Sequence, residues 1–233
     1  MLIKKIFNTS LKDIEEKRFN ILIPICVGNK FFLNGVDPTE NVLKYINWAL
    51  NNTKDRVLIL IADKIQISNW VVKNSNVSKE MNMRRLMRRG EKIKENILEI
   101  KNKLSDHLKS KITMLRWEDY FEKDLYCKTT TNIIYEEFKT NKDFKQSVFE
   151  SVKNSITDKE FTEEEYLTLC NYVLDEFSVV YHGVKIEKEY YGLYAYPETD
   201  EVLELIESIK KGNNFKKLEE NLPKQKISVV LIK

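Results

Sequence analysis

The sequence predicts an α/β sandwich built on a mostly parallel sheet, and three observations carry that prediction. ILIPIC, residues 21–26, is an apolar run that leads into the turn VGN, where a strand gives way to a loop opening a helix. VLILIAD, residues 57–63, is almost purely apolar and rich in β-branched residues, as expected of a strand buried on both faces of a parallel sheet. Between them, residues 38–50 set Val42, Leu43, Ile46 and the Trp48–Ala49 pair at helical intervals, with Asp37 as the N-cap and Pro38 at the first helical position. Strand, helix, strand in this order is a βαβ unit.

The later elements continue the alternation. Residues 79–109 read as one long helix, and ITML, 112–115, as another strand. Helical patterns follow at 119–139, 143–154 and 160–177, the last opening on Thr162 to Glu165 in the form of a capping box. SVVY at 178–181, YYGLYAY at 190–196 and KISVVLI at 226–232 read as strands, with a helix near 198–211. No internal repeat or low-complexity linker marks a boundary, so residues 1–233 are expected to form a single domain.

Composition narrows the class. A chain of 233 residues with 42% hydrophobic and 32% charged residues can bury a sizeable core. A net charge of +3 is not that of a generally basic protein, yet Arg84, Arg85, Arg88 and Arg89 are four of only seven arginines. Three irregularly spaced cysteines, Cys26, Cys127 and Cys170, make neither a disulfide framework nor a zinc site and suit a reducing compartment. The N-terminus, MLIKKIFNTSLKDIEEKRF, becomes charged before it can form a signal core, and no apolar run approaches a membrane span. A cytoplasmic protein with no membrane partner is expected.

Three constellations bear chemistry. Cys26 ends its strand at a turn where Gly28 gives backbone freedom and Asn29 supplies an amide that both donates and accepts; it is a candidate nucleophile, or else a small buried residue like most free cysteines. The four arginines stand at i, i+1, i+4 and i+5, on one side of a helix, and residues 79–103 hold nine basic against four acidic side chains. Their planar forks suit phosphate, which points to RNA; the plainer reading is a solvated helix face. Tyr172 and Glu176, four apart in NYVLDEF, share a helix face and offer a phenol and a carboxylate for acid–base work, unless they are ordinary helix surface.

Together these segments resemble the cyclodipeptide synthases. That family has a strand ending in serine, followed two and three residues later by glycine and asparagine and then an aromatic pair, much as in ICVGNKFF. Its helix ending in a tryptophan–alanine pair is similar to INWAL at 46–50, and its arginine-bearing helix to MRRLMRRGEKIKENI at 83–97. Its helical tyrosine and glutamate, four apart, resemble Tyr172 and Glu176, and its strand tyrosine resembles Tyr194 in LYAYP. The likeness spans residues 20–197.

The resemblance implies a Rossmann-like three-layer sandwich similar to the catalytic domains of class I tyrosyl- and tryptophanyl-tRNA synthetases, without ATP chemistry. His107 and His182 are isolated, and no HIGH-like or KMSKS-like motif is present. It implies an aminoacyltransferase that takes two aminoacyl-tRNAs per cycle, holds the first residue on its nucleophile, and closes a dipeptidyl-enzyme to a diketopiperazine with no cofactor or metal. Cys26 would then form a thioester, which an amine attacks readily. Tyr172 and Glu176 would hold the substrate ammonium and assist proton transfer, and Asn29 and Tyr194 would orient the aminoacyl group. Pro24 and Gly28 would shape its pocket, and Arg84, Arg85, Arg88 and Arg89 would grip tRNA. The chain is expected to act as a monomer.

Three departures matter. Cys26 replaces serine, Pro24 replaces a usual glycine, and Ala195 follows Tyr194 where the family has histidine or proline, which leaves Tyr191 and Tyr196 as alternatives for the strand tyrosine. A second function therefore stands beside the first: an aminoacyl-tRNA binding protein or hydrolase on the same fold.

Overall fold

The computed structural model describes residues 1–121, 124–156 and 160–233. In chain order its strands are β1 (Ile3–Phe7), β2 (Asn20–Cys26), β3 (Leu33–Asn34), β4 (Asp37–Pro38), β5 (Val57–Ala62), β6 (Ile112–Arg116), β7 (Val184–Ile186), β8 (Glu189–Tyr196) and β9 (Ser228–Ile232). The helices are α1 (Leu11–Glu15), α2 (Glu40–Asn52), α3 (Ile67–Lys73), α4 (Lys79–Asn102), α5 (Asp106–Lys111), α6 (Trp117–Phe121), α7 (Leu125–Thr140), α8 (Lys142–Ser155), α9 (Glu163–His182), α10 (Glu201–Lys210) and α11 (Lys216–Asn221).

The central sheet runs β1-β9-β8-β2-β5-β6, with β7 beside β8. It is parallel from β9 to β6, and antiparallel only where β1 meets β9 and β7 meets β8. β2 and β5 are buried at every position, which explains why their sequences lack polar alternation. Alternate residues of β2 serve two cores: Ile21, Ile23 and Ile25 pack with α2 and α4, while Leu22 and Cys26 face α7, α8 and α9. This is the α/β sandwich with a mostly parallel sheet that the sequence predicts.

Several local expectations change. SVVY, 178–181, is not a strand but part of the last turns of α9, where every residue from Phe177 to His182 is buried. A short β-branched run reads alike in a buried strand and a buried helix, and here the helix continues until Gly183, whose φ of +80° ends it. Asp37 and Pro38 do not open α2; they pair with Leu33–Asn34 as β4, and Thr39 takes the cap by accepting the Asn41 N–H. The helix expected over 79–109 breaks after Asn102 and restarts as α5 behind the Ser105 cap. The helix expected over 119–139 is matched by α6 and α7, with residues 122–123 outside the described residues. β1, α1, α3, β7 and α11 are short elements without a sequence signal of their own, β1 because two lysines interrupt its five residues. Among the described residues, no helix is long and apolar enough to cross a membrane.

Candidate active site

The site lies where the sheet changes direction. From β2 the chain builds outward to β5 and β6 on one side, and β8 and β9 fill the other, so the gap between β2 and β8 is the topological switch point. β2 pairs with β5 through to Cys26↔Ala62, whereas its pairing with β8 ends at Leu22↔Tyr194. The two strands therefore part at their C-terminal ends. Pro24, two residues past the last paired position, has no N–H to leave unsatisfied at this fork.

Cys26 closes β2, and the chain then turns sharply. The Asn29 N–H donates to the Cys26 carbonyl at 3.1 Å, and Gly28 has a φ of +98° with nothing within 4 Å of where a Cβ would stand. Glycine is thus required there by conformation and not by space. Both ends of the Asn29 side chain are engaged: Oδ1 accepts the Phe31 N–H at 2.9 Å and Nδ2 donates to the Tyr196 hydroxyl at 3.2 Å. Phe31 and Phe32 anchor the turn on Tyr45 of α2, with ring centroids 5.7 and 4.9 Å away.

Tyr172 and Glu176 project from α9 toward Cys26, as their spacing anticipates. The Tyr172 hydroxyl lies 3.6 Å from Cys26 Sγ, and Glu176 Oε1 accepts from the Tyr194 hydroxyl at 3.5 Å. Tyr196 completes the group by donating toward Cys26 Sγ at 4.0 Å. The three candidate strand tyrosines separate by register. Tyr191 pairs with Asn20, six residues before Cys26 and so about 20 Å away along β2. A bulge between Asn20 and Ile21, opposite Gly192, resets the alternation and turns Tyr194 and Tyr196 toward Cys26. The structure thus gathers two strand tyrosines where the motif led us to one, and the period of two in LYAYP was the signal for the second.

Burial governs the electrostatics. The Cys26 thiol is pushed up to about 12, first by burial and then by the charge of Glu176, against hydrogen bonds from Tyr172 and Tyr196. It is therefore a neutral thiol near pH 7. Burial and the charge of Asp200 raise the Glu176 carboxyl to about 7, while hydroxyl hydrogen bonds from Tyr172 and Tyr194 restrain the rise. Burial also drives all three phenols well above their usual value. Glu176 is thus the group in this cluster poised to exchange a proton near neutrality.

Tyr172, Glu176, Tyr194 and Tyr196 also line a cavity of about 590 Å³. Apolar lining comes from residues such as Val152, Leu169, Val173, Leu203 and Ile206, and the other lining residues include Lys73, Glu198 and Asp200. Cys26, Pro24 and Gly28 are not in the lining; Tyr172 stands between the thiol and this space. Glu198 and Asp200 escaped the sequence reading because no spacing ties them to the cysteine. Among the described residues, no group of three His, Cys, Asp or Glu side chains is placed to hold a metal ion.

The arginine helix lies across the sheet from this cavity. α4 buries Asn82, Leu86, Gly90, Ile93 and Ile97, leaving Arg84, Arg85 and Arg88 exposed. Arg89 differs: it is half-buried, its Nη2 donates to the Gly35 carbonyl, and its Nε is buried without a partner. Three of the four guanidinium groups face outward as the spacing predicts, and the fourth is held against the β3–β4 hairpin.

No family model matches the sequence, and no curated protein matches it at the sequence level. Solved structures match in fold. Cyclo(L-leucyl-L-phenylalanyl) synthase superposes at a TM-score of 0.69 and 15% identity, over 99% of this chain and 99% of that one. A cyclodipeptide synthase from Staphylococcus haemolyticus aligns at a TM-score of 0.66 and 21% identity, over 100% of both chains. The cyclodipeptide synthase from Candidatus Glomeribacter gigasporarum, whose structure is bound to Phe-tRNAPhe, aligns at 0.53 and 14% identity, over 92% of this chain and 88% of that one. At these identities the likeness is one of architecture: the chain has the mixed α/β fold, with a mostly parallel central sheet, of the cyclodipeptide synthases.

Proposed function

We propose that this protein is a tRNA-dependent aminoacyltransferase that joins two aminoacyl groups into a diketopiperazine through a thioester on Cys26. The observation that carries the reading is the convergence of Cys26, Tyr172, Glu176, Tyr194 and Tyr196 at the β2–β8 fork of a cyclodipeptide synthase fold. The tRNA-bound neighbour and the exposed arginines of α4 support aminoacyl-tRNA as the donor. Such a substrate places the reaction in the cytoplasm, and a single chain carries every group named.

With its thiol held protonated, Cys26 needs a base as it attacks. Glu176 in its ionised form supplies one, with the Tyr172 hydroxyl between carboxylate and sulfur as the relay. Sulfur bonds to the ester carbonyl carbon, the ribose oxygen leaves with a proton, and the first tRNA departs. For the dipeptide to stay on the enzyme, the amine of the Cys26-bound residue must attack the second ester and release the second tRNA. The new terminal amine then attacks the thioester, closing the ring and restoring the thiol. Asn29 acts through Tyr196, and Gly28 and Pro24 through the path of the backbone beneath Cys26.

One observation favours the second reading, a binding protein or hydrolase: a buried thiol at about 12 is a poor nucleophile until deprotonated. Intact-mass measurement after incubation with aminoacyl-tRNA decides. A hydroxylamine-labile adduct of one aminoacyl mass, lost in Cys26→Ala, together with a cyclic dipeptide in the medium of expressing cells, is the expected result. Free amino acid without adduct or dipeptide would identify a hydrolase, and unchanged aminoacyl-tRNA a binder.

A further inference from the structure

A second polar cluster lies outside this site, where β5, β6 and α4 meet. Asp63 is fully buried and directly follows Ala62, the partner of Cys26 across the β2–β5 pair. One carboxylate oxygen accepts the Lys64 N–H at 2.7 Å, and the other accepts Arg116 Nε at 2.6 Å. The rest of the Arg116 fork grips α4: Nη2 donates to the Met87 carbonyl at 3.0 Å and Nη1 to Glu91 Oε2 at 2.8 Å. Between those two contacts sits Gly90, where a Cβ would stand 2.0 Å from Asp63 Oδ2, so that only glycine lets the helix backbone rest on the carboxylate. Arg89, next to Gly90, and Asn96, farther along α4, donate to the carbonyls of Gly35 and Val36, in the hairpin that follows the Cys26 turn.

A buried ion pair is a weak source of net stability, and apolar residues would hold two elements together as well. What a guanidinium fork adds is direction, because its donors bind only in one plane. The helix so fixed is the one that carries Arg84, Arg85 and Arg88.

We infer that Asp63, Arg116 and Gly90 form a clamp that sets the position of the arginine helix relative to Cys26, so that RNA held on α4 delivers its ester to the thiol. They are positioning residues. The inference rests on the proposed aminoacyl transfer and goes beyond it, because it makes the alignment of donor and thiol depend on residues that touch neither.

The test compares two acyl donors by the rate of Cys26 acylation, read as intact mass: saturating bulk aminoacyl-tRNA, and a mixture of amino-acid cyanomethyl esters that carry no RNA. Arg116→Lys keeps a charge beside Asp63 but cannot reach Met87 and Glu91 together. Since displacement of about 1 Å costs up to about 10²-fold, acylation from tRNA should slow at least about tenfold while acylation from the esters is unchanged. Affinity for uncharged tRNA and its salt slope should stay within about twofold of the parent, because the exposed arginines remain. Equal losses with both donors overturn the clamp, as do no loss with either, or a loss of tRNA affinity large enough to explain the rate. If Arg116→Lys loses the parent's circular dichroism, Glu91→Gln decides by the same comparison, since that side chain is 49% exposed. Its tRNA-dependent rate should fall about threefold, the effect of weakening one half-exposed ion pair in a helix that stays folded. A parent that takes acyl groups from esters and none from tRNA overturns the proposed function and the clamp with it. A parent acylated by tRNA beside an indistinguishable Arg116→Lys protein overturns the clamp alone.

Discussion

Asp63 is a fully buried carboxylate and Glu176 a half-buried one on the cavity wall, both near the C-terminal edge of the sheet, and their surroundings could hardly differ more. Asp63 meets the Arg116 guanidinium at 2.6 Å and a backbone N–H at 2.7 Å, so its charge is matched on the spot. Glu176 faces the hydroxyls of Tyr172 and Tyr194, and among the described residues no cation contributes to its proton affinity. A buried carboxylate with a cation is a fastener. One with only hydroxyls titrates near neutral pH, and that is the property acid–base chemistry uses.

The sharpest way to break this contrast is to remove each carboxylate in turn. Asp63→Ala leaves Arg116 Nε buried without its acceptor, although Glu91 still pairs with Nη1, and should lower unfolding stability by about 1–3 kcal/mol in urea titrations. Glu176→Gln should leave stability at neutral pH equal or better, yet cut the rate of Cys26 acylation by at least about 10²-fold. Comparable losses of stability in the two variants would mean that Glu176 is also a structural group.

The pH dependence separates them further. A carboxyl raised to about 7 when folded binds its proton more tightly in the folded chain than in the unfolded one. Its contribution is complete at low pH and is lost as pH rises from about 4.3 to the folded value, at about 1.4 kcal/mol per unit. The acylation rate should move the opposite way, rising through a midpoint of about 7 as Glu176 ionises. Both trends should vanish in Glu176→Gln. A parent protein whose stability stays flat from pH 4.5 to 7 would count against the raised carboxyl.

A smaller effect is expected at the turn. Gly28→Ala meets no atom but forces a side chain to a φ of +98°, which should cost about 1 kcal/mol or more by thermal melting. Because that residue sits between Cys26 and Asn29, acylation should slow more than stability suggests.

The contrast also explains what could be read in advance. β2 and β5 were legible because burial on both faces leaves an uninterrupted apolar run. The Tyr172–Glu176 face was legible because helical spacing is local. The period of two puts Tyr194 and Tyr196 on one face, but which of the strand tyrosines faces Cys26 depends on a bulge at Gly192, which pairing with β2 creates. The Asp63–Arg116 pair joins residues 53 apart that carry no motif, so only the fold brings them together. SVVY differs from the sequence expectation for another reason: the buried last turns of a helix have no polar face to reveal their period.

Arg89 and its three neighbours extend the contrast to the helix surface, and here the expected effects are smallest. Arg84, Arg85 and Arg88 are exposed, so replacing any one by Ala should remove about one phosphate contact and flatten the slope of log affinity against log salt by about 0.7–0.9. Arg89 is already engaged with Gly35, so Arg89→Ala should change that slope little. What Arg89→Ala should lose instead is a tie between α4 and the hairpin beyond the Cys26 turn, seen as slower acylation at saturating tRNA. Filter binding of uncharged tRNA at several salt concentrations gives the first quantity and intact-mass kinetics the second. Equal slopes for the parent and the Arg85→Ala protein would mean that RNA does not dock on α4 at all, and equal behaviour of Arg85→Ala and Arg89→Ala would erase the distinction between a residue that grips and one that holds the grip in place.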